Sequence, residues 1–170
     1  VPGVVALATN AEGTYYEVGF GERIQGDGVE MTPDTVVWLA SMTKAITGAA
    51  AMQLVEQGKL DLDEPASQVL PELAERQVLA GFDDAGQPVL RPAKGEITLR
   101  QLLTHTGGFV YDLWNSDFAR YFELTETPAI LSCMNAPLHI PLAFDPGRRR
   151  ASVFGIDWAG KMVEAETGQS

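Results

Sequence analysis

The chain has 170 residues, 45% of them apolar, and a formal charge of −11 at pH 7. That composition supplies a core for one domain and excludes a disordered chain. The negative balance argues against a nucleic-acid partner, which needs a cationic surface, and serves solubility instead. The lone cysteine, Cys133, excludes an internal disulfide. Its apolar setting, Ile130-Leu131-Ser132-Cys133-Met134, predicts a buried and inert thiol. No segment reads as a membrane span or a signal peptide, which leaves the compartment open with the cytoplasm slightly favoured.

In chain order, Val4–Ala8 and Thr14–Phe20 read as two strands joined by the turn residues Asn10-Ala11-Glu12-Gly13. Thr35–Leu39 suits either a short buried strand or an extended lead-in. Ser41–Gln57 has helical spacing, with Ser41 as the N-cap candidate and Gly58 as the stop. Ala45, Ala49, Met52 and Val55, widened by Ala50 and Leu54, form the expected buried stripe. Its many small side chains suit a central helix. Residues 81–96 read as a loop or small hairpin. Thr98–Leu103 reads as a short helix capped by Thr98, and 110–127 as helical in part. Gly155–Thr167 reads as a last amphipathic helix burying Ile156, Ala159, Met162 and Val163. Two strands do not make a stable sheet alone, so the chain reads as part of something larger.

The chemistry lies in Ser41-Met42-Thr43-Lys44. Residues i and i+3 of a helix share a face, so a lysine amine can reach a serine hydroxyl. A serine needs a base to become a nucleophile, and a lysine kept neutral by burial can serve. The helix N-terminus and its free N–H groups favour the developing oxyanion. A bare S-x-x-K arises by chance about once in a couple of hundred residues. What raises its weight is the apolar run Val36–Ala40 before it and the small-residue helix after it.

Met31-Thr32-Pro33-Asp34-Thr35, Leu39–Thr47 around that tetrad, and Leu54-Val55-Glu56-Gln57-Gly58-Lys59-Leu60-Asp61-Leu62-Asp63 resemble the serine β-lactamase / penicillin-binding-protein-like superfamily. Ile97–Phe109, with its His105-Thr106-Gly107-Gly108, matches a second hallmark. Phe109–Asn115 and Ile156-Asp157-Trp158 are similar to the family VIII, β-lactamase-like carboxylesterases.

The resemblance implies an α+β fold, an α/β sandwich beside a helical region. Of this the chain would hold the first strands, the central helix and the helical region. Residues 1–170 would be a single β-lactamase-related domain, incomplete at the C-terminus. Within it, 1–40 would be the first strands, 41–58 the nucleophile helix and 59–170 mainly helical. The resemblance further implies a serine carboxylesterase acting on short-chain acyl esters through an acyl-enzyme, with neither metal nor organic cofactor. Ser41 would be the nucleophile and Lys44 its base, with His105 supporting the fold. A β-lactamase or D,D-peptidase shares this chemistry. An inactive fragment or a non-catalytic ligand-binding module is the alternative of another class. The implied partners are a small-molecule ester and the remaining C-terminal half of the same enzyme, with no nucleic acid and no membrane.

The sequence departs from the family in two ways: the family's third motif is expected beyond Ser170, and the stretch after a Pro-Gly turn differs, with Arg150 where an aromatic residue is common. Counting from the turn Asp145-Pro146-Gly147, the family's proton-transfer tyrosine falls on Ser152, a candidate for a shorter-reaching relay. Arg149-Arg150-Ala151-Ser152-Val153 also matches a basophilic kinase pattern, although a solvated basic turn is the favoured reading.

Overall fold

The computed structural model describes residues 1–132, 134–151 and 154–169. It divides into two compact units, Val1–Ala40 and Ser41–Ser170. The expectations for Cys133 and Ser152 fall outside the described residues.

The first unit is built on an antiparallel hairpin of β1 (Gly3–Asn10) and β2 (Gly13–Gly21). Its turn is closed by Asn10, whose Oδ1 accepts the N–H groups of Glu12 and Gly13 at 2.9 and 3.1 Å. This is the local side-chain bond that makes asparagine a turn former. Both strands run slightly past the apolar residues that announce them, with a register shift between Ala8 and Thr9. The Thr35–Leu39 segment joins no ladder, and Val36 and Trp38 are almost fully exposed. It is the extended lead-in, not a buried strand.

The second unit starts with a 3-10 turn at Ala40–Met42 and continues as α1 (Thr43–Glu56). Ser41 therefore lies inside the turn and is not the N-cap; Met42 holds that place, with no side-chain cap. The buried face also differs from the expected stripe. Ala51 and Leu54 are buried and Lys44, Thr47, Gly48 and Val55 are half-buried, whereas Ala45, Ala49 and Met52 are exposed. The helix is apolar or small nearly all round, so its periodicity carried little information about which face turns inward.

After α1 come a hairpin of β3 (Gln77–Phe82) and β4 (Pro88–Pro92), then α2 (Leu99–Leu103), α3 (Ser116–Leu124) and α4 (Gly155–Thr167). Thr98 caps α2 in a full capping box with Gln101. Asn115 caps α3 through the N–H groups of Asp117 and Phe118. Gly168, left-handed at φ 67°, ends α4. The α4 face is broader than expected. It buries Ile156, Ala159 and Met162, and Trp158 completely, while Val163 is only half-buried.

Trp158 anchors the core with Phe109 and Phe154, whose rings lie 6.3 and 5.3 Å apart along the chain Trp158–Phe109–Phe154. The Arg76 guanidinium sits over Phe109 and Trp158 at 5.7 and 5.9 Å. It also donates to the carbonyls of Leu138 (3.2 Å) and Ile140. Burial pulls its pKa down, opposed mainly by Glu72.

Residues 142–151 are stapled to the loop after α2 by main-chain bonds. The N–H groups of Ala143, Gly147 and Ala151 donate to the carbonyls of Gly108, Thr106 and His105 at 2.7, 2.8 and 3.1 Å. Gly108, at φ 97°, lets the strip come this close: a Cβ there would collide with the Phe144 carbonyl oxygen and lie 3.2 Å from Leu142 Cβ. Asp145 locks the turn at the middle of the strip. It accepts two bonds from Arg91 (2.7 and 3.0 Å) and one from the Lys94 N–H (2.8 Å), which lower its pKa to about 2.

Candidate active site

The i,i+3 spacing of Ser41 and Lys44 brings the two side chains together. Lys44 Nζ donates to Ser41 Oγ at 3.0 Å. The register holds although Ser41 stands in a 3-10 turn, because such a turn also places residues three apart on one side. Ser41 is exposed and Lys44 half-buried. This suits a nucleophile that must meet a substrate and a base that must be partly desolvated. Ala40, just before the serine, has φ 47°, a conformation a side-chain-bearing residue adopts at a cost of about 1 kcal/mol or more.

Two further groups feel the charge of Lys44, His105 and Asp157, and a third, Tyr111, feels that of Asp157. His105 is half-buried, left-handed at φ 62°, and its Nδ1 is buried without a partner among the described residues. Its pKa is depressed, first by burial, then by the positive charges of Arg150 and Lys44. An imidazole whose Nδ1 has no partner among the described residues does not have the arrangement of a base held by a carboxylate. Its main chain bonds instead to Leu102 and Ala151.

The second group is Asp157, in the first turn of α4. Desolvation raises its pKa, opposed by its own backbone N–H and by the charge of Lys44. The residue remains exposed, so the desolvation is partial. The third is Tyr111, whose phenol is pushed up by burial and then by Asp157. Its ring meets Trp114 and Phe154 edge-on at 5.2 and 6.0 Å. Sequence reasoning quoted Tyr111 and Asp157 within family-like stretches but gave neither a role. The coupling of Asp157 to Lys44 and of Tyr111 to Asp157 depends on how α4 and the loop after α2 pack, which no local pattern encodes.

Ser152, the third expected site residue, lies outside the described residues. No group of three or more His, Cys, Asp or Glu among the described residues could hold a metal ion. One groove of about 310 Å³ opens at the far end of α1, lined by Val55, Lys59, Asp61, Glu64 and Met162 among others. It lies about 20 Å along the helix from Ser41 and includes no serine, cysteine, histidine or tyrosine. No described helix is long and apolar enough to cross a membrane.

The hydroxyl–amine pair, the small-residue helix behind it and the stapled H-T-G-G loop fit one group of proteins. The chain belongs to the Beta-lactamase family, whose model matches residues 1–170. Among curated relatives it is 40% identical to ML-236A carboxylate methylbutanoyltransferase of Penicillium citrinum, over 99% of this chain and 42% of that one. It is 39% identical to lovastatin esterase of Penicillium rubens, over 99% of this chain and 43% of that one. Among solved structures, unliganded simvastatin synthase of Aspergillus terreus superposes with a TM-score of 0.83 at 37% identity, covering 100% of this chain and 44% of the other. The chain thus spans less than half the length of these relatives, and the α+β β-lactamase-like fold is shared over that span.

Proposed function

We propose that the protein is a serine carboxylesterase of the family VIII type, cleaving short-chain acyl esters through an acyl-enzyme on Ser41. The observation that carries this reading is the 3.0 Å bond between Lys44 Nζ and Ser41 Oγ. In the acylation step Ser41 Oγ attacks the ester carbonyl carbon and Lys44 Nζ takes the hydroxyl proton. The tetrahedral intermediate then collapses, the C–O bond to the alcohol breaks, and Lys44 returns the proton to the departing alkoxide. Water repeats the sequence on the acyl-enzyme and releases the acid. Ser152, at the position where the family has tyrosine, is the assigned second proton relay by sequence position alone.

A second reading keeps the acyl-enzyme and replaces water by an alcohol, which makes the protein an acyltransferase. It is favoured by the relatives named as methylbutanoyltransferases. Their name points to a short, branched acyl donor.

The test is labelling of Ser41 by a fluorophosphonate probe, followed by turnover of p-nitrophenyl butyrate with and without an added alcohol acceptor. Site-specific labelling that Ser41→Ala abolishes supports the acyl-enzyme. Butyrate ester formed at the expense of free acid selects transfer over hydrolysis. Absence of Ser41 labelling in folded protein overturns both readings in favour of a non-catalytic ligand-binding module.

A further inference from the structure

α1 and α4 pack side by side, and their contacts fix which residues face each other. A Cβ on Gly160 of α4 would lie 3.6 Å from Thr47 Cγ2 of α1. Further along, Val55 of α1 and Met162 of α4 line the same groove. The two helices therefore advance in the same direction along this seam. One turn before Thr47 on its face of α1 stands Lys44, and one turn before Gly160 on its face of α4 stands Asp157. The small residue at 160 lets the helices approach closely at this level of the seam.

We infer that Asp157 is a positioning residue for the acylation step, its carboxylate stabilising the positive charge that Lys44 acquires on taking the Ser41 proton. This inference rests on the acyl-enzyme reading above. The logic is that of a nucleophile–base pair with a third group behind the base: Ser41 is bonded to Lys44, and Asp157 stands one turn before the α4 residue that meets α1 at Thr47.

The electrostatics agree with the packing, since the Lys44 charge favours the ionised form of Asp157. The two are not within 4 Å of one another, so the carboxylate acts through space and leaves the amine free for the serine. Within this unit, Lys44 faces Ser41 on its own element, His105 from the loop after α2, and Asp157 from α4. Burial and two cations lower the His105 pKa and an imidazole carries no negative charge, so Asp157 is the facing group that supplies it. Asp157 in turn faces Lys44 and the half-buried phenol of Tyr111. No proton passes to Asp157 in the step. It travels from Ser41 Oγ to Lys44 Nζ and on to the leaving alcohol.

The experiment compares wild type with Asp157→Asn and Asp157→Glu. The first readout is the rate of Ser41 labelling by a fluorophosphonate between pH 5 and 10. The second is the rate of Lys44 acetylation by a trace pulse of acetic anhydride over the same range, read by peptide mass spectrometry against Lys59 and Lys161. In D157N the acid limb of the labelling profile moves to lower pH by about half a unit to one unit, and the high-pH plateau falls by about three- to tenfold. Lys44 acetylation moves in the same direction, Lys59 and Lys161 do not, and D157E restores both profiles. A residue that only helps α4 fold would lower the amount of competent protein without moving either limb. Unmoved limbs in folded D157N overturn the inference. If Ser41 fails to label in the wild type, the acyl-enzyme reading falls, and the Lys44 readout still decides whether Asp157 acts on that amine.

Discussion

Gly108→Ala is a sharp test of how the site's scaffold is held. Its φ of 97° lies where an L-residue is strained, by about 1–2 kcal/mol. The added methyl would also meet the Phe144 carbonyl oxygen and approach Leu142 Cβ at 3.2 Å. Both belong to a strip that cannot shift freely, because Ala143, Gly147 and Ala151 are bonded to the same loop. Overpacking against a fixed backbone adds about 1–3 kcal/mol, for a total of about 2–5 kcal/mol. Urea denaturation followed by tryptophan fluorescence, with fully buried Trp158 as the reporter, measures it. At a slope of about 2 kcal/mol per molar, the midpoint falls by about 1–2.5 M. Gly48→Ala is the opposing control, since a Cβ there meets nothing within 4 Å and helix propensity favours alanine. Its midpoint rises by a few tenths of a molar, for a gain of about 0.5–1 kcal/mol. A loss below about 0.5 kcal/mol in G108A would show that the strip yields and that the stapling argument is wrong.

Replacing Lys44 by Met keeps the stem and removes the amine, so Ser41 labelling slows by about 100-fold or more while the urea midpoint stays near wild type. Parallel labelling kinetics and denaturation check both halves of that statement. Asp145→Asn tests the Arg91 clamp through pH. The Asp145 carboxyl is held at about 2, below its ordinary 3.8, so its stabilisation is present above pH 4 and is lost as pH falls through 2. Thermal melting should therefore show wild type above D145N at pH 5–7, with the gap closing towards pH 2. A constant gap would mean that Asp145 acts by shape alone. Arg76→Met keeps much of the stacking volume over Phe109 and Trp158 but leaves the carbonyls of Leu138 and Ile140 without their donor. Stability falls by about 1–3 kcal/mol, read as the fall in urea midpoint.

The sequence was most informative where the cause of structure is local. Thr98 with Gln101, and Gly168 at the left-handed end of α4, mark helix ends through bonds made within a few residues. The Ser41–Lys44 approach was legible for the same reason, since three-residue spacing suffices to bring the groups together. The inward face of α1 was not, because nearly every position on it is small or apolar and the packing partner, α4, lies a hundred residues on. The start of β3 at Gln77 was missed too. Its pairing depends on β4 and on the bonds of Gln77 and Leu79 to Leu142, which are tertiary. Asp157 belongs with these. Its residue type was plain in Ile156-Asp157-Trp158, but what it faces is a property of two helices meeting.

The staple between the loop after α2 and residues 142–151 has a consequence for how this region can change. Its three rungs join main-chain N–H groups to main-chain carbonyls and consult no side chain. Residues 148–150 can accordingly be rewritten, as three consecutive arginines here, while the backbone path is preserved. Proline at 143, 147 or 151 would delete a rung, and at Gly147, with φ 78°, any side chain is strained. Mutational tolerance should thus be broad for side-chain chemistry at the exposed positions 148–150 and narrow where Leu142, Phe144 and Asp145 are buried or clamped, which makes 148–150 a favourable place to diversify what borders the loop after α2 without disturbing the scaffold.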